Sequence, residues 1–354
     1  MVKIAFALPV PNAKIIGGYK VVYEYSNYLA SKGCDVTIFY NAHNGINSMH
    51  LPRVAVLLIR WKIGKFGPKW FDLNQKVHKR VLSCYKKDSF NGYDIVVATA
   101  TETAKYVNEA QITPENKWYF VQDFEDWGRS KNEVIDTYKM GMHIIAISKW
   151  LKRIIENTSG REVIYIPNGI DKNVFNIKIP YINRGKHTLS TLYHWDQRKG
   201  CDVALRTIYR LKERYHDLEV FLFGAPQRKT GWPEWIHYIQ KASPLEVCDS
   251  MNQARVFLCT SRQEGFGLTG LESIFCGCTL VTTDCLGIRE YASEKNAYIC
   301  SVDDEKSIFA RVCQAFDDEE GALEKRCNCQ KLIEGFDAEA SRNAFYNAIT
   351  GSVI

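Results

Sequence analysis

The chain has 354 residues, of which 46% are hydrophobic and 12% aromatic. That length predicts about two domains, and the composition excludes an intrinsically disordered chain. The twelve cysteines are scattered, and the pairs at 276/278 and 327/329 have C-x-C spacing. This spacing excludes the C-x-x-C of zinc and thioredoxin-like sites. We therefore expect buried, reduced thiols and a cytoplasmic protein.

The net charge of +6 is distributed unevenly. Residues 1–170 carry 23 Lys and Arg against 15 Asp and Glu, whereas the remainder is close to neutral. No nucleic-acid-binding motif accompanies the basic first half, so nucleic acid is not an expected partner. An anionic membrane surface or a diphosphate-linked acceptor is expected instead, with ordinary surface lysines as the alternative. No apolar run reaches the ~20 residues of a membrane span.

The first segment predicts a βαβ unit. Val2 to Val10 is a continuous apolar run, typical of a buried parallel strand. Gly17 and Gly18 then open a helical pattern that ends at Gly33, and a second strand follows from Asp35 to Tyr40. A glycine pair at the first strand–helix turn is a candidate ligand contact, or simply a tight turn.

The stretch from Arg60 to Lys87 holds nine Lys or Arg interleaved with aromatic side chains. Its first part predicts a mobile loop, and the spacing from Phe71 to Tyr85 predicts a helix. Basic and aromatic residues together suit a membrane interface. Neutralising Lys62, Lys65 and Lys69 is then expected to weaken binding to anionic liposomes. The alternative is a solvated basic helix that packs by its apolar face.

Trp118 to Val121 predicts a strand that ends in the polar sequence Gln122-Asp123-Phe124-Glu125-Asp126. The carboxyl ends of strands line the ligand crevice of an open α/β sheet. Gln122 could hydrogen-bond a ligand, and Asp123 could orient or deprotonate a hydroxyl group. The three acids could suggest Mg²⁺, but acids in a loop are usually solvated, and no metal site is predicted.

Two further strands run into polar turns. Val163 to Ile166 leads into P-N-G-I-D from Pro167 to Asp171, and weak periodicity up to residue 186 predicts a linker. Thr188 to Tyr193 leads into H-W-D-Q-R-K-G from His194 to Gly200. Adjacent cations at the start of a helix suit a phosphate, or are simply surface charges.

The stretch from Cys259 to Gly277 predicts a strand, a glycine loop and a helix. The apolar run from Ala254 to Leu258 precedes it, the loop holds Gly265 and Gly267, and the helical pattern starts at Leu268. Such a junction leaves backbone N–H groups unpaired at a helix N-terminus, which suits a phosphate or diphosphate.

Two carboxylates flank this junction, Glu264 in the loop and Glu272 in the helix. Carboxylates accept hydroxyl hydrogen bonds, so the pair suits a sugar and a ribose on either side of a diphosphate. The pattern E-G-F-G-L-x-x-x-E, the G-x-x-E turn at 287–290, P-N-G-I-D and Lys199-Gly200 together resemble the GT4 family of retaining glycosyltransferases.

The resemblance implies an α/β GT-B fold, in which two Rossmann-like domains with parallel sheets face across a cleft. It implies an N-terminal acceptor-side domain over residues 1–168 and a linker over 169–186. A nucleotide-sugar-binding domain is expected over 187–335, followed at 336–354 by a C-terminal helix that packs back on the first domain.

The resemblance also implies roles for individual residues. Glu264 contacts the transferred sugar, Glu272 binds the ribose, and Lys199 neutralises the diphosphate of the leaving group. Gln122 stands where many members have a histidine, with Asp123 beside it as the acceptor-side acid. The other donor-binding candidates are Gly265, Phe266, Gly267, Leu268, Thr269, Arg198, His194, Gly17, Gly18 and Glu290. His194 stands where the family has an arginine, and either His194 or Arg198 replaces that arginine.

The expected activity is transfer of a hexose or deoxyhexose from a nucleotide-diphosphate sugar to a saccharide or lipid-linked hydroxyl, with retention and without a metal or cofactor. Surface polysaccharide or glycoconjugate synthesis is the expected pathway, with peripheral contact at the inner face of the plasma membrane. The sequences around Gln122 and His194 resemble a rhamnan-type rhamnosyltransferase subgroup that uses dTDP-L-rhamnose, and UDP- and GDP-sugars remain open. The alternatives are a non-catalytic nucleotide-sugar binder and another GT-B enzyme such as a UDP-GlcNAc 2-epimerase.

Overall fold

A computed structural model describes residues 1–43 and 52–351. The chain divides into two compact units. Unit 1 comprises Met1–Pro167 together with the chain from Arg342 onward, and unit 2 comprises Asn168–Ser341. Across the described residues, no helix combines the length and the apolar character needed to cross a bilayer.

Unit 1 is built on a seven-stranded sheet in the order β3-β2-β1-β4-β5-β6-β7, and every neighbouring pair is parallel. Strands β1, β4 and β5 are almost entirely buried, as expected where helices cover both faces of a sheet. The strands are β1 Lys3–Leu8, β2 Asp35–Asn41, β3 His78–Leu82, β4 Ile95–Ala98, β5 Lys117–Val121, β6 His143–Ala146 and β7 Val163–Tyr165. The helices are α1 Gly17–Ser31, α2 Arg53–Phe66, α3 Thr101–Asn108, α4 Lys131–Tyr138 and α5 Lys149–Ser159.

Unit 2 has a six-stranded sheet in the order β10-β9-β8-β11-β12-β13, again with parallel pairs throughout. Its core contains Leu189, Leu222 and Val256 from the strands and Ile208 and Val312 from the helices. The strands are β8 Thr188–Tyr193, β9 Glu219–Gly224, β10 Ile236–Gln240, β11 Val256–Cys259, β12 Thr279–Thr283 and β13 Tyr298–Cys300. The helices are α6 Cys201–Arg214, α7 Pro244–Gln253, α8 Leu268–Phe275, α9 Glu305–Asp317 and α10 Glu319–Leu332.

The last helix, α11 (Ala338–Thr350), begins in unit 2 and continues in unit 1. Phe345 lies in the core of unit 1, where its ring centroid is 6.2 Å from that of Phe6, 4.6 Å from Tyr25 and 5.2 Å from Phe120. Because of these aromatic contacts, the second part of helix α11, from Arg342, packs with unit 1.

The predictions for residues 60–85 were wrong. Residues 60–66 of the predicted loop belong to helix α2, which ends before Gly67 and Pro68, and the predicted helix contains strand β3. Gly64 suggested a loop, but it allows close packing of α2, because a Cβ there would lie 2.4 Å from Val81 Cγ2. Strand β3 is at the edge of the sheet, so its polar side chains meet solvent and conceal the strand pattern.

The predicted linker at 169–186 belongs to unit 2. Arg184 is buried there and donates hydrogen bonds to the carbonyl oxygens of Ala254 at 2.8 Å and Cys276 at 2.6 Å. Ile170 and Asp337 form an isolated bridge, so residues 336–341 also pack in unit 2. The division between units thus falls at 167/168, one residue from the predicted end of the first domain, and at 341/342, inside the segment predicted as the C-terminal helix.

Helices α3 and α4 and strand β10 were not predicted. Helix α4 has a sequence signal, because Ser130 and Glu133 form a capping box in which Ser130 Oγ accepts from the Glu133 N–H and Glu133 Oε2 from the Ser130 N–H. All twelve cysteines lie in the described residues and are free thiols, most of them buried as predicted.

Candidate active site

The segment after β11 forms the strand–loop–helix that its glycines predict. Gly267 precedes α8 with φ of +83°, and a Cβ there would lie 2.5 Å from Ile288 Cδ1. Glycine is therefore required both by backbone conformation and by space. Gly277, at φ of +78°, follows α8 as the predicted C′ residue. The first amides of α8 have no acceptor within the helix and carry its positive dipole end.

Glu264, in the loop before α8, is held by two side chains. It is 8% exposed. Lys199 Nζ donates to its two carboxylate oxygens at 2.8 and 2.9 Å, and Ser261 Oγ donates to Oε1 at 2.7 Å. Charge-assisted bonds from two separate loops fix the orientation of the carboxylate. The structure thus brings together two predicted catalytic residues that are 65 positions apart.

Gly200 brings Lys199 close to Glu264. It has φ of +61°, and a Cβ there would lie 2.0 Å from the carbonyl oxygen of Thr260. Thr260 Oγ1 in turn donates to the Gly200 carbonyl oxygen at 2.9 Å. The turn after β8 therefore packs directly against the chain leaving β11, a contact that only glycine permits.

Asp196 organises the turn that carries Arg198 and His194. Arg198 Nη2 donates to Asp196 Oδ2 at 2.6 Å, and its backbone N–H donates to Oδ1 at 2.9 Å. The Asp196 N–H donates to His194 Nδ1 at 3.0 Å, so in the neutral ring Nε2 carries the hydrogen. Burial, with the nearby Lys199 charge, lowers the pKa of His194. His194 is therefore a neutral donor, whereas the Arg198 guanidinium has an acidic partner within its own turn.

The other predicted residues of the α8 segment fall into two groups. Glu272 is in the second turn of α8 and is 5% exposed, and Leu268 and Thr269 form the partly buried first turn. Phe266 instead packs into the core, with its ring centroid 5.9 Å from that of Tyr291. A ligand could therefore meet Phe266 only through its backbone, as it would Gly265.

The predicted G-x-x-E turn lies against the Glu264 loop. A Cβ on Gly287 would lie 2.4 Å from the Glu264 carbonyl oxygen, and Leu286 forms an isolated bridge with Glu264. Leu286 has φ of +62° and ψ of −70°, and the Gly287 N–H donates to the Cys285 carbonyl oxygen at 2.7 Å. Such a γ-turn costs about 1–3 kcal/mol, and nothing in the sequence indicated it. Glu290 ends the short 3₁₀ turn that follows.

Gly17, Gly18 and Gln122 lie together in unit 1. The two glycines are the first residues of α1, and a Cβ on Gly18 would lie 3.5 Å from the Gln122 side-chain amide. Asp123 Oδ1 accepts the Phe124 N–H at 2.8 Å. These candidates share the carboxyl-terminal edge of the unit 1 sheet, where ligands of open α/β sheets bind.

Glu125 is a site feature that sequence reasoning treated only as a loop acid. Its Oε2 accepts the Thr101 N–H at the start of α3 at 2.7 Å. Burial raises its pKa to about 7, opposed by the bonds from Thr101 and by Arg129, with Glu102 adding to the rise. The D-F-E-D sequence shows the acid but not its burial. Over residues 1–43 and 52–351, no group of three or more His, Cys, Asp or Glu is placed to hold a metal ion.

A cavity of about 670 Å³ lies within unit 2 beside the turn after β8. His194, Trp195, Arg198, Lys229 and Arg262 are among its lining residues. Glu264 and Glu272 are not among them, so the cavity adjoins the Glu264 loop through the shared turn rather than containing it.

Residues 187–318 match the family model of group 1 glycosyl transferases. A stretch of 170 residues is 27% identical to one of the subunits of human phosphatidylinositol N-acetylglucosaminyltransferase, covering 45% of this chain and 35% of that protein. The chain thus spans about a third of the length of this curated relative. The family match covers the whole segment from β8 to α9, including both loops that meet at Glu264 and Lys199.

Solved structures share the fold over nearly the whole chain. Sucrose-phosphate synthase from Thermosynechococcus elongatus and Anabaena HepE in complex with UDP-glucose each superpose with a TM-score of 0.73 at 12% identity, covering 99% of this chain and 100% of theirs. A glycosyltransferase from Rickettsia africae has a TM-score of 0.70 at 13% identity, covering 99% and 98%. The predicted α/β fold class is confirmed: two parallel-sheet Rossmann-like units of the GT-B type.

Proposed function

We propose that this protein is a glycosyltransferase that moves a hexose or deoxyhexose from a nucleotide-diphosphate sugar to an acceptor hydroxyl, with retention. The observation that carries the proposal is the buried Glu264, bound by Lys199 and Ser261 in the loop before α8. Its setting supports the proposal, since it lies in the segment that matches group 1 glycosyl transferases.

Each group around Glu264 is assigned one role in the reaction. The N–H groups at the start of α8 and the Lys199 ammonium stabilise the diphosphate as its bond to the sugar breaks. Glu264 accepts hydrogen bonds from the hydroxyls of the transferred sugar, and Glu272 binds the ribose. The departing phosphate oxygen takes the proton of the attacking hydroxyl. Glu290, in the 287–290 turn, helps to bind the donor.

Unit 1 is assigned the acceptor-side roles. Gln122 hydrogen-bonds the sugar and Asp123 orients the acceptor hydroxyl, whereas Gly17 and Gly18 allow close backbone approach of the donor phosphate as well as the acceptor. The position of the Gln122 amide, which a Cβ on Gly18 would meet at 3.5 Å, supports a common role for these residues.

We assign the role of the family's arginine to His194 rather than Arg198. The guanidinium of Arg198 is bound to Asp196, which also accepts the Arg198 N–H. His194 has its Nδ1 occupied by the Asp196 N–H, so its Nε2–H is the group suited to a phosphate oxygen. Arg198 then acts through Asp196 by holding the turn in shape.

The donor is proposed to be dTDP-L-rhamnose, a UDP-hexose or a GDP-hexose. The sequence resemblance favours the first, whereas HepE was solved with UDP-glucose. The acceptor is proposed to be a saccharide or a lipid-linked saccharide, used in the cytoplasm at the inner face of the plasma membrane. The lipid named in the human relative, phosphatidylinositol, supports an acceptor on a lipid.

A donor panel followed by a transfer assay tests the function. A nucleotide sugar that binds only the folded protein raises its melting temperature. Release of nucleoside diphosphate that depends on acceptor, with EDTA present, is expected from a metal-independent transferase. Stabilisation without turnover across acceptors would indicate a non-catalytic binder, and conversion of UDP-GlcNAc alone would indicate an epimerase.

Glu264→Gln tests whether the buried Glu264 carboxylate is required for transfer. Because the amide keeps the shape and loses the charge, we expect transfer to fall by about 100-fold or more. The protein should remain folded with a lowered melting temperature, because Lys199 loses its carboxylate partner but keeps part of its contact with water. Glu294→Gln, an exposed residue of unit 2, is the matched control and should retain full activity. An active Glu264→Gln variant would contradict the proposal.

A further inference from the structure

Helix α2 has a second apolar face directed away from unit 1. Val54, Leu58 and Phe66 are 69%, 57% and 64% exposed. Val54, Leu58 and Trp61 have i, i+4, i+7 spacing, so they form one stripe along the helix. The opposite face is already packed, because Val56 is fully buried and Gly64 contacts Val81. The exposed stripe is therefore additional to the face that anchors the helix.

The charges on α2 are all positive. The segment Arg53–Phe66 contains two arginines and two lysines and no acidic residue. Arg60 Nη1 donates to the Ala42 carbonyl oxygen at 2.6 Å, towards the body of unit 1. Lys62 and Lys65 are exposed beside the stripe, with Lys65 Nζ 4.6 Å from the ring centroid of Trp61. Apolar side chains flanked only by cations are complementary to an anionic lipid surface.

From this geometry we propose that α2 is an interfacial helix that docks unit 1 on an anionic bilayer. Val54, Leu58 and Trp61 enter the boundary between headgroups and acyl chains, and Lys62 and Lys65 contact lipid phosphates. A stable protein interface contributes roughly 20 residues from each partner, far more than this stripe provides. Helix α2 therefore overlaps only the first part of the basic stretch from 60 to 87. Lys79 and Arg80, later in that stretch, belong to strand β3.

Vesicle binding by the full chain is the test. The protein is expected to sediment with phosphatidylcholine vesicles that contain phosphatidylglycerol and to remain in solution with phosphatidylcholine alone. Binding should weaken with salt, because the Debye length shrinks from about 10 Å at 0.1 M to about 3 Å at 1 M. No nucleotide sugar is present, so the outcome is independent of glycosyl transfer.

Two variants separate the apolar from the electrostatic contribution. Val54→Ser/Leu58→Ser should lose roughly tenfold or more in vesicle affinity, because two side chains no longer leave water. Lys62→Gln/Lys65→Gln should lose roughly fivefold per charge on anionic vesicles. The control Leu245→Ser/Leu323→Ser removes two similarly exposed leucines of unit 2, both beside glutamates, and should bind as wild type.

Three outcomes would overturn the proposal. One is wild-type protein that stays in solution with anionic vesicles at low salt. Another is unchanged binding by Val54→Ser/Leu58→Ser. The third is a concentration-dependent dimer that this variant abolishes, which would make the stripe an interface between copies. A blue shift of tryptophan emission with vesicles, absent in Trp61→Phe, would confirm that Trp61 enters the bilayer.

Discussion

Each unit has a carboxylate beyond a strand end, and the two have different environments: Glu264 is buried and Glu125 is half-buried. Glu264 in unit 2 receives the Lys199 ammonium and the Ser261 hydroxyl. Glu125 in unit 1 receives the Thr101 N–H, and burial dominates its environment, so its pKa rises to about 7. The same residue type is thus held by a lysine from a second loop in unit 2, whereas burial outweighs the opposing hydrogen bonds and the Arg129 charge in unit 1.

Removing the cation should have the largest effect. Lys199→Met leaves Glu264 buried with only Ser261, and we expect a loss of roughly 2–3 kcal/mol of stability, discounted because Lys199 is partly exposed. Transfer should fall by about 100-fold or more, since the diphosphate also loses its countercharge. Urea unfolding and initial rates measure the two losses.

A double variant separates the effect of leaving one charge of the Lys199–Glu264 pair unpaired from the effect of losing both side chains. Lys199→Met/Glu264→Gln should regain part of the lost stability, because no buried charge is left unpaired, yet remain inactive. Arg214→Met, which breaks the exposed pair with Asp317, is the control and should cost at most about 1 kcal/mol. Equal stability losses in Lys199→Met and Arg214→Met would mean that burial adds nothing at Glu264.

Glu125 should make stability depend on pH. Its pKa is raised from 4.5 to about 7, so the folded state holds a proton that the unfolded state has released. The stabilisation is complete below pH 4.5 and is lost as pH rises through 7. Because the residue is not fully enclosed, we expect about 1–2 kcal/mol rather than the full effect of the shift.

Glu125→Gln keeps the acceptor for Thr101 and removes the titration. Its free energy of unfolding should therefore vary less than that of wild type between pH 5 and pH 7.5. Urea unfolding at several pH values measures this difference. Parallel curves for the two proteins would show that Glu125 titrates normally.

The elements of unit 2 were easier to predict from sequence than the segment from α2 to β3. Strand patterns followed by glycine-containing turns predicted β8 and β11 closely. A family resemblance placed Lys199 and Glu264 at the same site, but it did not predict that they bind each other, because no local pattern joins residues that meet through the Gly200–Thr260 contact. Strand β3 is polar and at a sheet edge, and the strain at Leu286 depends on loop packing, so neither has a sequence period.

His194 provides a smaller, pH-dependent comparison. In the protein without ligand, the pKa of the His194 imidazole is lowered from 6.5 by burial and by the charges of Lys199 and Arg198. The charges of Asp196 and Glu264 oppose this decrease. A bound diphosphate favours the imidazolium, but protonation of Nδ1 breaks the hydrogen bond that it accepts from the Asp196 N–H. Where the diphosphate outweighs that loss, binding takes up a proton and tightens as pH falls towards the ligand-free pKa. One unit of pKa rise corresponds to about tenfold in affinity.

Calorimetry with an intact nucleotide sugar measures this linkage. A free nucleoside diphosphate is unsuitable, because its terminal phosphate itself titrates near pH ~6. His194→Gln retains an N–H donor but cannot titrate, so its affinity should be flat over the same range. A pH dependence that persists in His194→Gln would assign the proton to another group.

The smallest expected effect concerns the glycines of the candidate site, whose backbone conformation and surrounding space differ between the two units. In unit 2, Gly200 and Gly267 combine positive φ with contacts that a Cβ would violate, whereas a Cβ on Gly18 would sit in ordinary contact with Gln122. Gly18→Ala should therefore keep or raise stability by up to about 1 kcal/mol, because the unfolded chain loses freedom. If the missing side chain at Gly18 allows a substrate to approach the backbone, kcat/KM should fall while the melting temperature does not. Gly92→Ala, at φ of +85° in unit 1, is the matched contrast and should lose stability without a specific loss of transfer.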